Sequence, residues 1–267
     1  MRLKLVLKSL EEGIILPVHY NYTLQGFLYS IMPSELSKLL HDEGFKSVSE
    51  REYKLFVYSR IFSDEKPRYE KDNKLLYFSG NINIYFSSPF YDMMSLFSNE
   101  LSKKIGKSFD LLDNRVLLDS FTIENNDVLI NEMLVRTLSP ITIYSTLHDR
   151  RDKKKTYYYN PNETDFNYYI NENMRRKYDA FSHSIMADDE SEYKDILIQP
   201  KYFDTKRNMH IIYYKDTVIK AYSGIFKLKG SKRILDFCLK TGIGSKNSMG
   251  FGMLEEYIEK NRITKSD

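Results

Sequence analysis

A chain of 267 residues is long enough to bury the cores of two small domains, and its composition removes several chemistries at once. Lys and Arg number 40 against 37 Asp and Glu, a net charge of +3 that is too mild to establish a polyanionic partner unless the charges are unevenly placed. The single cysteine, Cys238, excludes an intrachain disulfide framework and any Cys-x-x-Cys metal site; with no signal peptide and no apolar run of membrane-spanning length, the sequence reads as cytoplasmic.

Residues 1–8 alternate charged and apolar side chains with period two, the pattern of a half-buried strand. Leu24, Phe27, Leu28 and Ile31 then recur at helical spacing, which predicts a helix over 23–32 with that stripe inward and Gln25, Tyr29 and Met32 pointing away from it. Pro33 interrupts it. Ser34 is expected to cap a second helix carrying Leu36, Leu39 and Leu40, with Gly44 at its C-terminus and His41 in its last turn or just beyond. Residues 54–62 alternate as a strand: Leu55, Val57 and Ile61 make an apolar face, and Lys54, Phe56, Tyr58, Arg60 and Phe62 a basic, aromatic one. The stretch 75–87 repeats the contrast. Such a basic, aromatic face is either a platform on which RNA bases stack or a surface covered by a second domain. A helix over 90–104, with Met93, Met94, Phe97 and Leu101 inward, and a strand over 115–123 complete a βαββαβ order.

Asn125-Asn126-Asp127 reads as a boundary, after which the order starts again. A strand over 132–144 is interrupted at Ser139-Pro140, a charged loop occupies 150–155, and a helix is expected over 163–186. An acidic surface run, Asp188-Asp189-Glu190-Ser191-Glu192, precedes strands over 196–203 and 209–228, the second broken in its middle. Ser231 caps a helix whose stripe is Ile234, Leu235, Cys238 and Leu239, and a last strand covers 251–258. The predicted architecture is therefore α+β, with two tandem ferredoxin-like (βαββαβ, RRM-like) domains over residues 1–125 and 126–267.

The uneven charge lies near the end. Lys227, Lys229, Lys232, Arg233, Lys240 and Lys246 face one acid, Asp236, in the same stretch, which marks a basic end suited to RNA phosphates. It runs into Gly242-Ile243-Gly244-Ser245-Lys246-Asn247-Ser248-Met249-Gly250-Phe251-Gly252, which holds four of the eleven glycines. Glycine permits φ > 0 and close backbone approach, while Ser245, Lys246, Asn247 and Ser248 add donors, so the stretch reads either as an anion-binding loop or as a glycine-rich hairpin. It has neither P-loop nor Rossmann spacing, and a helix precedes it where those motifs need a strand.

His19, His41, His148, His183 and His210 show no metal-ligand spacing, and neither an Asp-x-Asp cluster nor a serine nucleophile elbow is present. What remains is proton transfer. RNA supplies its own nucleophile in the 2′-hydroxyl, so a histidine, a tyrosine and a lysine suffice near neutral pH, but spacing does not choose among five histidines.

Three stretches carry a family resemblance. Gly242 to Met253 resembles the signature glycine loop of the CRISPR-associated endoribonucleases that process precursor CRISPR RNA, the Cas "six" group of the RAMP superfamily. Leu24-Gln25-Gly26-Phe27-Leu28-Tyr29 is similar to that family's first-helix motif, and Leu134 to Ile143, with Leu138-Ser139-Pro140-Ile141, to the opening of its second domain. The resemblance implies two ferredoxin-like domains and cleavage of repeat RNA without metal or cofactor, giving a 5′-hydroxyl and a 2′,3′-cyclic phosphate. It implies a catalytic set of Tyr29, His41 and Lys54, with Lys46 as the alternative lysine because the intervening loop varies in length. It also implies RNA binding by the basic end and the loop, through Gly242, Gly244, Ser245, Lys246, Asn247, Ser248, Gly250 and Gly252 alongside Lys227, Lys229, Lys232, Arg233 and Lys240. The expected partners are CRISPR repeat RNA and other effector-complex subunits; the alternative is a non-catalytic member that only holds the RNA.

Overall fold

The computed structural model describes residues 1–47, 50–125, 127–148, 152–185 and 193–259. Strand β1 (Arg2–Ser9) keeps its period-two promise, burying Leu3, Leu5 and Leu7. It is followed by α1 (Asn21–Ile31), β2 (Val57–Tyr58), β3 (Ile82–Ser87), α2 (Tyr91–Ser102) and β4 (Asn114–Glu124). The strands pair antiparallel in the order β4-β1-β3-β2, the ferredoxin-like arrangement, with a short strand, Ser108–Leu111, added beside β4. Both helices cover one face, where Leu24, Phe27 and Leu28 of α1 and Met94, Phe97 and Leu101 of α2 share a core with Leu3, Leu5, Ile84 and Phe86.

The second unit repeats the plan. Its elements are β5 (Glu132–Thr137), α3 (Thr164–Ser184), β6 (Leu197–Lys201), β7 (Ile225–Lys229), α4 (Lys232–Thr241) and β8 (Leu254–Glu256), with strands in the order β6-β7-β5-β8. Val135, Phe226 and Leu228 pack against Ile170 and Met174 of α3 and Ile234, Leu235 and Cys238 of α4. Ser231 caps α4 as its position predicts, accepting the Ile234 N–H. Two antiparallel hairpins are inserted, Tyr144–His148 with Lys154–Tyr158 and Met209–Tyr214 with Thr217–Tyr222. The acidic run at 188–192, Asn126 of the expected boundary, and Arg150 and Arg151 of the expected charged loop lie outside the described residues.

Several sequence expectations are corrected by packing. The stretch 54–62 is no long alternating strand: Leu55 takes φ +45°, the ladder with β3 covers Val57–Tyr58 and Phe62–Ser63 with Ser59 bonded to Tyr85 between them, and the Arg60 N–H crosses to Leu138 O of the second unit. Its aromatic face is no open platform either. Phe56 and Tyr58 are 1 % exposed, with Phe56 stacked on Phe86 inside the first core, while Val57 on the opposite side meets Leu138 and Met253. Covered on both sides, the segment is apolar for packing and not for RNA. Residues 75–87 form two strands, Leu75–Phe78 and β3, separated by Gly80 at φ +70°, and the first of them joins Ile14–Pro17 and Arg68–Glu70 in a separate small sheet. The strand expected over 132–144 ends at Thr137. Ser34 does not cap its helix, since the N-cap is Pro33 with no side-chain hydrogen bond, and Met32 is buried.

Candidate active site and glycine loop

Tyr29 stands on α1, three residues before the helix turns out at Met32. Its ring meets Phe56 edge-on at 5.9 Å and His41 edge-on at 5.8 Å. Burial, with Tyr214 nearby, pushes its phenol up to about 12, so at neutral pH it keeps its proton and can donate it in a hydrogen bond.

His41 sits in a π-helical turn, Leu39–Glu43, whose inward residue is Leu40. The turn ends because Gly44 takes φ +69° and returns its N–H to Leu39 O at 2.8 Å; a Cβ there would stand 2.9 Å from Tyr53 O. This extra-wide turn presents His41 to solvent, its side chain 74 % exposed, with Nδ1 2.7 Å from Asp42 Oδ1. With Nδ1–H donated to Asp42, Nε2 is the atom left to exchange a proton, and the same bond holds the Asp42 carboxyl below the usual carboxylate range. Asp42 was not singled out from the sequence. Its signal there was only that a carboxylate follows the histidine.

Lys54 donates from Nζ to the His41 carbonyl oxygen at 2.8 Å. Lys46, the alternative, lies on the hairpin of Phe45–Lys46 with Glu52–Tyr53 and faces Glu50 at 3.5 Å. Three separate elements therefore bring Tyr29, His41 and Lys54 together. His41 and Tyr29 border an open groove of about 640 Å³ that also takes in Lys38, Asp42, Glu100 and Lys104.

The glycine loop is a joint before it is a ligand site. Gly242, Gly244, Gly250 and Gly252 all have φ between +75° and +83°, and a Cβ on Gly250 would lie 2.6 Å from the Tyr58 ring. Their backbone groups are spent on packing: the N–H groups of Ser245 and Gly252 reach Thr142 O and Pro140 O, and Asn21 Nδ2 of α1 donates to Met249 O and Gly250 O. Gln25 donates to Ser248 O and is itself held by Tyr214. Asn247 is buried, donating to Ile243 O and Phe251 O. Of the loop residues expected to face RNA, Gly242, Gly244, Asn247, Gly250 and Gly252 are thus buried, whereas Ser245, Lys246 and Ser248 are partly open. Lys246 at φ +62° carries its Nζ over the Tyr144 ring.

Sequence reading missed Lys177. It is 4 % exposed on α3, and its ammonium donates to Gly242 O at 2.6 Å, Asn247 Oδ1 at 3.0 Å and Gly244 O at 3.3 Å, holding both arms of the loop. The helical stripe Phe166, Ile170, Met174 runs on to position 177, the one sequence signal that this lysine points inward. Burial pulls it down to about 7, even though three acceptors favour the charged form. An unfolded lysine keeps its proton to about 10.4, so between those values the unfolded chain binds more protons and stability should rise with pH. Urea midpoints are expected to increase from pH 7 to pH 9 and to lose that slope in Lys177→Met; equal slopes would show that the buried ammonium does not titrate.

The basic end is not one surface. Phe226 and Leu228 of β7 enter the core against α4, so Lys227 and Lys229 lie on the opposite side of the sheet from Lys232, Arg233 and Lys240 of that helix. Lys227 pairs with Glu132 at 2.7 Å, Lys240 with Asp236 at 2.7 Å, and Arg233 lies over the Tyr178 ring. Only Lys246 among the six adjoins the glycine loop's open side.

Two ferredoxin-like units locked across a glycine loop, with Tyr29, His41 and Lys54 close together on the first, make the chain a tandem ferredoxin-like α+β protein. Comparisons with known proteins narrow this. The family described as CRISPR associated protein Cas6, C-terminal, matches residues 123–256, half of the chain. A CRISPR-associated endoribonuclease Cas6 of Pyrococcus furiosus is 27 % identical over 98 % of this chain and 91 % of the relative, and CRISPR-associated endoribonuclease Cas6 1 of Methanocaldococcus jannaschii is 25 % identical over 99 % and 96 %. A solved Cas6-related structure from Pyrococcus furiosus superposes with a TM-score of 0.78 at 22 % identity, covering 97 % of this chain and 99 % of that one. The chain belongs to the CRISPR-associated Cas6 family.

Proposed function

We propose that this protein is an endoribonuclease that binds CRISPR repeat RNA and cuts precursor CRISPR RNA by internal transesterification, releasing guide RNAs. The observation that carries the reading is the convergence of Tyr29, His41 and Lys54, through the 5.8 Å ring contact and the 2.8 Å hydrogen bond to the His41 carbonyl. Relatives named as CRISPR-associated endoribonucleases along nearly the whole chain support it.

In the reaction the 2′-oxygen bonds to phosphorus as the bond from phosphorus to the 5′-oxygen breaks. One proton leaves the 2′-hydroxyl and one arrives on the 5′-oxygen. His41, through Nε2, exchanges a proton with one of these oxygens; Lys54 adds positive charge beside the phosphorane, and the Tyr29 phenol donates a hydrogen bond. Among the described residues no group of three or more His, Cys, Asp or Glu side chains stands ready to hold a metal. Ser245, Lys246 and Ser248 supply contacts to the RNA backbone, and other effector subunits are further partners. Among the described residues no helix is long and apolar enough to cross a membrane.

Incubation with repeat RNA in EDTA should yield a 5′-hydroxyl product and a 2′,3′-cyclic phosphate product. Tight binding with no product would replace this reading by the non-catalytic, RNA-holding one, and cleavage that stops in EDTA would move the chemistry to a metal.

A further inference from the structure

A cavity of about 210 Å³ lies at the seam of the two units, apart from the chemistry already described. Arg2, Ser87 and Glu124, at the ends of β1, β3 and β4, supply one wall, and Asp236, Leu239 and Lys240 of α4 with residues 254–256 of β8 supply another. The connecting segment 127–130 supplies a third. None of the lining residues borders the His41 groove or belongs to the glycine loop.

The lining is apolar and acidic at once. Val128, Met133, Leu239 and Leu254 join it to the second core, while Leu129 and Ile130 are 73 % and 46 % exposed, in a segment that no strand or helix holds in place. Large apolar side chains exposed side by side mark a contact surface. Five carboxylates, Glu124, Asp127, Asp236, Glu255 and Glu256, stand against Arg2, Lys240 and the Met1 amino group, so the lining is negative at neutral pH. Glu124 is paired with Arg2 at 2.6 Å, Asp236 with Lys240 at 2.7 Å and Glu255 with Arg136. Asp127 and Glu256 form no ion pair among the described residues, and burial pulls the Met1 amino group below its ordinary value, which weakens it as a counter-ion beside Asp127.

That charge turns RNA phosphates away. The carboxylates do not converge on an ion either, since among the described residues no group of three or more His, Cys, Asp or Glu side chains is placed to hold a metal. The volume is below the roughly 300–1,000 Å³ of pockets that enclose drug-sized ligands, so it suits one or two side chains. An occupant that matches both properties brings an apolar side chain and a cation on one backbone, which is polypeptide chemistry.

We infer that this cavity docks a protein partner through a basic segment, in which an apolar side chain enters beside Leu129, Ile130 and Leu239 while a neighbouring arginine or lysine pairs with Asp127 or Glu256. The inference goes beyond the RNA reading and does not depend on it. The apolar contact supplies affinity, and the carboxylates supply orientation and choice of partner.

The test is selection of random peptides displayed on phage against the immobilised full chain, followed by affinity measurements on synthetic copies of the selected sequences. These should carry arginine or lysine next to a large apolar residue. Exchanging the basic residues of a selected peptide for glutamate should weaken it by roughly 10-fold or more, and exchanging its apolar residue for serine by roughly 10- to 100-fold. Asp127→Lys combined with Glu256→Lys, both at exposed positions, should abolish the preference for basic peptides while the urea midpoint stays where it was. Leu129→Ser is the second variant, and it should weaken the same peptides whether or not the double variant folds. Selection without basic, apolar pairing, or selected peptides that bind every variant as tightly as the unmutated chain, would overturn the inference. Three other outcomes would overturn it in favour of a different occupant. Displacement of a selected peptide by repeat RNA would make the cavity an anion site, binding only after removal of residues 260–267 would assign it to the chain's own tail, and a dimer that the peptide dissolves would assign it to a second copy.

Discussion

His41→Ala should lower the single-turnover rate of repeat-RNA cleavage by on the order of 10²- to 10⁴-fold, the usual effect of removing a general acid or base. Affinity should change little, because His41 is exposed on its own turn, where its ring meets Tyr29 and Asp42. RNA with a 2′-deoxy sugar immediately upstream of the scissile phosphate should bind as the parent does and stay uncut, since the attacking oxygen is missing. Asp42→Asn should cost less than His41→Ala, because the amide can still orient Nδ1 while losing its charge. Full activity in His41→Ala, or cleavage of the deoxy substrate, would mean that the wrong histidine or the wrong nucleophile has been named. His19 is no ready substitute: it lies against Tyr213 of the second hairpin, with ring centroids 4.8 Å apart, and does not border the His41 groove.

The second large effect is expected at Gly252, where φ is +77° and an added Cβ would collide with Ile243 O, well inside van der Waals contact, and lie 2.8 Å from Asn247 Nδ2. Neither neighbour can yield, since the Gly252 carbonyl accepts the Ile243 N–H at 2.8 Å and Asn247 is fixed by Lys177. Gly252→Ala should therefore destabilise the chain by about 3 kcal/mol or more, combining left-handed strain with a backbone collision. Gly80→Ala is the control. It has a similar φ of +70° but nothing within 4 Å of an added Cβ, so it should cost only the conformational term of about 1–2 kcal/mol. Urea melts that gave the two variants equal losses would show that the loop is not tightly packed and that its glycines serve conformation alone.

How much of this was legible follows from the range of each interaction. The strand over residues 1–8, the stripe of α1, α2 and the Ser231 cap of α4 are written in near-neighbour periodicity, and the structure reproduces them. Tyr29 and His41 could be marked through local motifs, although nothing in their spacing showed that the rings would meet. Asp42 and Lys177, and the contact of Gln25 with the loop, escaped notice because their partners are remote or their role depends on a side-chain rotamer; Lys177 reaches the loop across 65 residues.

The sequence alone determined the repeated element order and the presence of a loop that only glycines could form, because backbone preference and burial period are properties of adjacent residues. Which face of a segment would meet solvent was decided by tertiary structure. Phe56 and Tyr58 read equally as an RNA platform or a covered face until β2 is found between the first core and Leu138 and Met253 of the second unit. The six basic residues near the end read as one patch until the sheet and α4 part them onto two sides. The donors of the glycine loop read as free until the Ser245 and Gly252 N–H groups are found on Thr142 O and Pro140 O, and the Asn247 amide on Ile243 O and Phe251 O. The physical reason is common to all three. A hydrogen-bonding group or a charge can be satisfied by any partner that folding brings near, and chain order does not say which one that will be.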